Sequence, residues 1–564
     1  MKKIVALLLV FAMVFCLAAC NKPQNDPSDP SDPTGSSTST QPTGNPESET
    51  PMKLQWFQSI GTDTQFEAPA QQIQSLYPYM IFDPLMYWDA LNAEMVPAMA
   101  SEWTKNKDYT EFTVTIREGV KFHDGEVMDV NDVVFTINYV VASPTSSYHG
   151  AFQHVEGYEA LRNGEAKTLS GMTVKGNVIT FKLTQPVAQF LEGICGACYV
   201  LPEHLLKDYS YAEIDSCAFW KKPVGTGAYM VNEVSFPDYF TATRFDDYWG
   251  EPAGIKNVQF VSYAAGGNDA AVAAVINNEI DFATRQLITD NAVATNMVAQ
   301  NSNLKALVVN GFYTRFFTFN LGDRADGKMK ADLQNPKVRQ AFDLLIDQET
   351  IASFFDGYAS ASMTAVSSAG SEYNTDIPNV AKDVAAAKKL LDEAGFDYSQ
   401  TIDIATYYDD ATTADIMALL VQDFAEAGVK VNTILLQGDL AGLIYTDKNY
   451  DLIYGANNAA ANNQLAIYNF LCSNSVWTYQ GKHEERGAFF DDLMAQYNAS
   501  SDSAVRKDIA WKVQANNYEN CYLIPAYILN NSVVYNTANI VVPEEVFEVD
   551  GGNMYCWDKW AVLN

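Results

Sequence analysis

Residue types able to make or break bonds are few in this chain of 564 residues, and none falls into a catalytic spacing. The histidines are His123, His149, His154, His204 and His483. No H-E-x-x-H zinc pattern, G-x-S-x-G nucleophile elbow or G-x-x-x-x-G-K-[ST] phosphate loop is present. His149 and His154 are spaced to share a helix face loosely, but a two-histidine metal site wants a third ligand and the sequence nominates none. His123, inside F-H-D-G, reads as a structural hydrogen-bonding residue. Cys195-Gly196-Ala197-Cys198 is a lone C-x-x-C with no thioredoxin-like strand and helix around it, so it reads as structural. Cys198 to Cys217 is the candidate for one bridge. No cofactor, no metal and no enzymatic step is expected.

What remains is the chemistry of holding a molecule. The run N-N-A-A-A-N-N-Q, residues 457 to 464, sets Asn457, Asn458, Asn462, Asn463 and Gln464 close together, and these neutral amides both donate and accept hydrogen bonds. No Asp or Glu occurs between Asp451 and Glu484. Aromatic residues make up 12% of the chain, among them Trp56, Tyr87, Trp88, Tyr229, Tyr454 and Trp477. Such rings can wall a sugar or peptide cleft by stacking. Trp56, Tyr454, Trp477 and the amides of 457 to 464 are the candidate lining.

Length and charge narrow the setting. At roughly 100 to 200 residues per domain, the chain should form about three to four units. Its 36 basic and 69 acidic residues give a net charge of −33, a surface that repels phosphate backbones, so nucleic-acid binding is excluded. Lys2 and Lys3 precede an apolar run from Ile4 to Phe15, closed by Leu17-Ala18-Ala19-Cys20. That is an export signal, too short for an ordinary membrane span. Leu-Ala-Ala-Cys resembles the bacterial lipobox, which implies a signal peptide over 1–19 and a lipid-modified (palmitate-bearing) Cys20 as membrane anchor. Residues 20–51, rich in Pro, Ser, Thr and Asp, cannot offset their ordering entropy by burial and should form a disordered tether. A coil of that length spans roughly 30 Å.

The elements that would position a site are legible from periodicity. Phe112, Val114 and Ile116 alternate as a half-buried strand, Asp124-Gly125 marks a turn, and Asp129 can cap a helix with Val130, Val133, Val134, Ile137 and Val141 on one face. Gly176-Asn177 should join two strands as a hairpin. Further on, Asp383 caps a helix that Gly395 ends, 402–407 alternates as a strand, 413–427 forms a helix closed by Gly428, and 429–435 alternates again. Strand, helix, strand predicts a parallel crossover.

Several passages resemble one family, the extracytoplasmic solute-binding proteins of the peptide/nickel type that serve ATP-driven importers. Arg117 to Phe135 contains R-E-G-V-K-F-H-D-G and D-V-V-F; Ile81 to Leu85 reads I-F-D-P-L; Lys222 to Tyr229 reads K-P-V-G-T-G-A-Y; Tyr248-Trp249-Gly250 and Phe316 to Leu321 follow in the family's order. The resemblance runs from about residue 53 to the C-terminus. It implies an α/β, periplasmic-binding-protein-like type II fold, with two α/β lobes joined by a two-segment hinge and an extra α+β lobe inserted in the first. Lobe I would hold 52–79, 223–316 and 530–564, the inserted lobe 80–222, and lobe III 317–529. The implied function is capture of an extracellular solute, an oligopeptide first and an oligosaccharide as alternative, by a monomer that delivers it to permease and ATPase subunits of an ABC transporter. A sensor lipoprotein of the same fold is the other reading. In the family an acidic residue after "F-D-L-x-x-x-G-W" takes the peptide's amino terminus. Here the strand is Tyr450 to Gly455, Ala456 stands where tryptophan is common, and no acid follows, which predicts a ligand with a blocked or neutral end.

Overall fold

The computed structural model describes residues 44–56, 65–71, 76–263, 267–284, 287–288, 291–328, 330–459, 463–473, 484–549 and 556–563. Cys20, Asn462 and Trp477 lie outside the described residues, as do the side chains of Trp56 and Asn458. The chain enters through strand β1 (Met52–Trp56) and then builds a separate antiparallel sheet from β2 (Ala100–Lys105), β3 (Glu111–Ile116), β4 (Met172–Lys175) and β5 (Val178–Lys182), in the order β2-β3-β5-β4. Phe112, Val114 and Ile116 face inward, as their alternation requires. The β4–β5 hairpin turns on Gly176, whose φ of +64° suits a residue without a Cβ. Helix α1 (Val130–Ala142) starts at a reciprocal capping box. Asn131 N donates to Asp129 Oδ1 at 2.7 Å, while Asp129 N donates to Asp132 Oδ2 at 2.9 Å.

Apart from two short two-stranded ribbons, Met86–Asp89 with Glu94–Pro97 and Ile540–Val541 with Ala561–Val562, the other described strands make one mixed sheet. Its strands are β1, β6 (Tyr229–Ser235), β7 (Tyr239–Arg244), β8 (Asn257–Ser262), β9 (Phe282–Ala283), β10 (Leu304–Phe319), β11 (Thr401–Thr406), β12 (Lys430–Leu435), β13 (Leu452–Asn458) and β14 (Leu523–Asn536). The order is β12-β11-β13-β10-β14-β9-β1-β8-β7-β6, with Ala359–Ser360 added on β14. Strands β11 and β12 are parallel, joined by helix α2 (Ala411–Glu426), which Asp410 caps, and β13 lies parallel on the other side of β11. The predicted crossover is therefore present. Asp347, just past the helix Pro336–Leu345, caps the next one, Gln348–Ser353, by accepting from Thr350 N. Strands β10 and β14 are by far the longest and pair antiparallel along nearly their whole length. Val309, Val533 and Tyr535 belong to the core built around β1 and the inserted sheet; Phe317, Phe319, Ile524 and Tyr527 belong to the core around β11 and α2.

Three distant stretches of sequence meet at one buried carboxylate. Asp83 accepts from Tyr87 Oη (2.8 Å), Thr226 Oγ1 (3.0 Å), Tyr248 Oη (3.1 Å) and Trp249 Nε1 (2.9 Å). Four donors meet the desolvation of a carboxylate that burial would otherwise leave unpaired. Beside it, Gly225 N donates to His123 Nδ1 and the other ring nitrogen, Nε2, lies 2.9 Å from Gly227 O, so the imidazole is neutral with its proton on Nε2. Gly225 has to be glycine, because a Cβ there would sit 1.9 Å from Ile81 O. Arg117 stacks its guanidinium 4.3 Å over the Trp249 ring.

A second buried knot lies in the other core. The Arg324 side chain, 2% exposed, donates to Asp451 Oδ1 (2.8 Å), Asp403 Oδ2 (2.9 Å) and both oxygens of Asp326 (3.0 and 2.9 Å). Asp451 directly precedes β13 and Asp403 lies in β11, so this knot clamps the two parallel strands near their amino ends. Among the described residues the cysteines form no bridge: Cys195, Cys198, Cys217, Cys472, Cys521 and Cys556 are free thiols, and the expected Cys198–Cys217 pair is corrected to two buried apolar-like side chains.

Two outcomes follow. Arg324→Leu leaves Asp451 and Asp403 buried without their counter-charge and should lower the unfolding free energy by about 3–5 kcal/mol in urea titration at pH 7. Burial pushes the His123 imidazole down from 6.5 to about 4. Between those values the unfolded chain takes up a proton that the folded one refuses, so stability falls as pH falls, by up to about 3 kcal/mol at pH 4 from this group. His123→Gln, which keeps one donor and one acceptor, should cost stability at pH 7 and lose less of it on acidification; parallel pH slopes for variant and wild type would contradict the assignment.

Candidate ligand-binding cleft

Ligands of open α/β sheets sit outside the carboxyl ends of parallel strands. Here those ends are set by the pairing of Thr406 in β11 with Tyr454 in β13. Beyond them come Tyr407 and Tyr408 on one side and Ala456 to Asn458 on the other. Across β13 lies β10, where Tyr313, Thr314 and Arg315 pair with Asn458, Asn457 and Ala456. Arg315 also faces Tyr527 of β14, and the ladder slips register immediately afterwards, between Arg315 and Phe316, where Pro525 removes a donor.

Of the residues nominated from sequence, Asn457 and Asn463 stay half-buried at this edge. The Oδ1 of Asn463 is buried with no hydrogen-bond partner. Gln464 is buried at the start of the 3-10 helix Gln464–Leu471, pressed against Gly370 so closely that a Cβ on that glycine would lie 1.6 Å from its Oε1. Tyr454 is corrected from cleft lining to core. It has 0% exposure, shares a 2.7 Å hydrogen bond between its hydroxyl and that of Tyr527, and packs on Phe317. Trp56 ends β1 beside Ser262.

The facing wall comes from residues 86 to 109 and 189 to 192. Trp88 packs with Ala90, Phe312, Ala369, Ala459 and Val549, segments drawn from both sides of the long strands, and its Nε1 is buried without an acceptor. A cavity of about 350 Å³ opens here, lined by Trp88, Ala93, Ser371, Glu372, Arg506 and Lys507. Arg506, in helix α3 (Ser503–Asn520), lies 3.3 Å from Glu372, which also accepts from Tyr497 Oη at 2.7 Å. Burial raises the Glu372 carboxyl, and Arg506 and Tyr497 oppose that rise. With its amide turned so that oxygen faces Arg506, Gln189 accepts from that guanidinium at 2.6–3.0 Å. Lys105 Nζ donates to Ser501 Oγ, which is 3.4 Å from Tyr109 Oη. The inserted sheet and the start of α3 are thus in direct polar contact.

Burial pushes the Cys195 and Cys472 thiols up to about 12 and Cys556 up to about 11, which disfavours nucleophilic thiolates. Among the described residues no group of three His, Cys, Asp or Glu is placed to hold a metal ion. Sequence reading missed Arg315, Glu372 and Arg506. For Arg315 the signal was present as the one charge in F-Y-T-R-F-F-T-F. For the other two it was not, because their pairing joins positions 134 apart.

Two cores bridged by a pair of long strands, with aromatic and polar residues gathered where they cross, define a mixed α/β fold. Residues 94–479 match the family model described as bacterial extracellular solute-binding proteins, family 5 Middle, and the chain belongs to that family. It is 26% identical over 354 residues to a putative ABC transporter peptide-binding protein of Brucella ovis, covering 62% of each chain. It is 23% identical over 484 residues to the dipeptide-binding protein of Escherichia coli, covering 81% of this chain and 84% of that one. The alignment thus spans a little under two thirds of the Brucella relative's length. Among solved structures, the unliganded open form of the periplasmic murein tripeptide binding protein MppA superposes with a TM-score of 0.76 at 16% identity, covering 92% and 99% of the two chains. A putative peptide binding protein, AppA, from Clostridium difficile gives 0.72 at 15%, covering 91% and 100%. These structures share the fold.

Removing the Gln189 contact should loosen the two walls without leaving a buried charge unpaired, because Arg506 keeps Glu372. Gln189→Ala is expected to increase the ligand-free radius of gyration in small-angle X-ray scattering while the unfolding free energy from urea titration changes by no more than about 0.5 kcal/mol. An unchanged radius would show that this contact does not hold the two walls together.

Proposed function

We propose that the protein is the substrate-binding lipoprotein of an ABC importer. It captures an extracellular oligopeptide in the cleft beside β10 and β14 and delivers it to membrane permease and ATPase subunits, making and breaking no covalent bond. The carrying observation is the cleft itself, set at the carboxyl ends of β11 and β13 and walled by segments from both cores. Membership in the solute-binding family and the peptide-binding names of its relatives support the same reading. Lobe I is read as 52–79, 223–316 and 530–564, the inserted lobe as 80–222 and lobe III as 317–529. Closure is a hinge motion at β10 and β14. A lipid on Cys20 would hold the chain on the outer face of a bacterial cytoplasmic membrane, with residues 20–51 as tether. Among the described residues no helix is long and apolar enough to cross a membrane.

The ligand's amino end is blocked or neutral in this reading. An ammonium group in a closed cleft needs a carboxylate or costs several kcal/mol, and residues 452–483 carry none. Asn457 and Asn463 can serve amides or hydroxyls instead. A thermal-shift screen against short free peptides, N-acetylated longer peptides and oligosaccharides tests this. N-acetylated peptides should stabilise by about 2.7 kcal/mol at a hundredfold excess over Kd. Micromolar binding of a dipeptide through its free amine would refute the neutral end, and a shift with oligosaccharides alone would replace peptide by sugar.

A further inference from the structure

Trp88 reaches the meeting of the two walls from a stiff mount. The ribbon Met86–Asp89 with Glu94–Pro97 sends successive side chains to opposite faces. On one face Tyr87 gives its hydroxyl to the buried Asp83 carboxylate; on the other stands Trp88. At the base of the ribbon Gly196 N donates to Met86 O at 3.1 Å. Its tip is braced by Asp89, whose Oδ1 accepts from Leu91 N (2.9 Å) and Asn92 N (3.2 Å) and whose Oδ2 accepts from Asn92 Nδ2 (2.8 Å). An indole carried this way is held out from the inserted segment as a fixed projection.

The projection meets a cluster of Ala90, Phe312, Ala459 and Val549, with Ala369 beside it. Phe312 belongs to β10, Ala459 follows β13, Ala369 lies in the loop after Ala359–Ser360, and Val549 is in the last segment of the chain. This cluster is separate from the four larger ones among the described residues, so it seals a junction between cores and is not the interior of any. The indole N–H is given up in the process, because Nε1 is buried with no hydrogen-bond partner. Most other described indoles are paired. Trp220 Nε1 donates to Ile214 O (2.7 Å), Trp249 Nε1 to Asp83 (2.9 Å), Trp511 Nε1 to Tyr373 O (3.0 Å) and Trp557 Nε1 to Tyr79 O (3.0 Å). Trp560, ringed by Phe282, Phe547 and Trp557, is the other exception. Apolar burial favours the Trp88 junction and the missing N–H bond opposes it, and water restores that bond when the walls part. These opposed contributions leave the contact reversible.

We infer that Trp88 is a built-in latch: its ring, presented by the ribbon, fills the apolar junction between the walls and keeps them together with no molecule bound between them. The Gln189–Arg506 and Lys105–Ser501 contacts span the same walls and add polar fastening beside it. A molecule entering between the walls has to displace the indole first, and its apparent affinity falls with the fraction of chains that are latched. The latch goes beyond the transport reading and holds for a peptide or a sugar alike, since only residues of this chain form it.

The test follows the distance between the walls in the full chain, solubilised in mild detergent and refolded from urea to strip any copurified solute. Spin labels are carried at Lys107→Cys, in the turn between β2 and β3, and at Asp508→Cys, in α3, both exposed. Cys195 and Cys556, the two partly exposed cysteines among the described residues, are replaced by serine. Double electron–electron resonance then reads the distance distribution. Trp88→Ala should add a longer distance and raise the ratio of long to short distances by about tenfold or more. Trp88→Phe, which keeps an apolar ring and removes the orphaned donor, should stay within about twofold of the unsubstituted ratio. A distribution unchanged by Trp88→Ala overturns the latch. Equal opening in both variants also overturns it, because the packed ring would then not be the holding element. Loss of the cooperative urea transition in Trp88→Ala would make the residue a core member and overturn the latch as well.

Discussion

Everything in this molecule hangs on one antiparallel ladder, β10 against β14. A strand buried on both sides must find hydrogen-bond partners along its whole length, and these two find them in each other from Leu304–Asn536 to Thr318–Leu523. One end of the pair contributes Val309 and Val533 to the first core and the other contributes Phe317 and Ile524 to the second. The cleft lies beside the ladder, so its floor is backbone already satisfied, free to present side chains.

Much of this was legible from sequence where the signal was local. The hairpin at Gly176-Asn177, the caps at Asp129 and Asp383, and the crossover around α2 all depend on residues within a turn or two of one another. The family motifs were legible as words but not as contacts. The structure explains why they travel together: I-F-D-P-L, V-G-T-G and Y-W-G converge on the Asp83 carboxylate, with F-H-D-G pinned beside them by His123. Tyr454 was misread because alternation along a strand says that a side chain faces one side, not whether that side is core or cleft. Arg315 was missed because an apolar, aromatic run reads as buried strand, and only three-dimensional neighbours show that its charge has no partner.

The electrostatics divide by depth. The surplus of acidic residues belongs to the surface, where it favours solubility. Inside, charges are neutralised in closed groups, as around Arg324 and at Arg506 with Glu372, held by neutral donors, as at Asp83, or stacked on rings, as at Arg315. Near the cleft, the amide-rich segment carries no charged residue, and Nε and Nη1 of Arg315 have no hydrogen-bond partner.

Strands β11 and β13 carry an arginine at each extremity, one saturated and one open. Arg324 welds their amino ends through Asp403 and Asp451, while Arg315 stands over their carboxyl ends. Strands fastened at one end to a buried ionic rivet cannot slide past each other when the walls of the cleft swing. The half of the site borne by these strands therefore moves as a rigid plate. An arriving molecule meets a fixed template on that side, and the adjustment needed for a snug enclosure falls on the opposite wall.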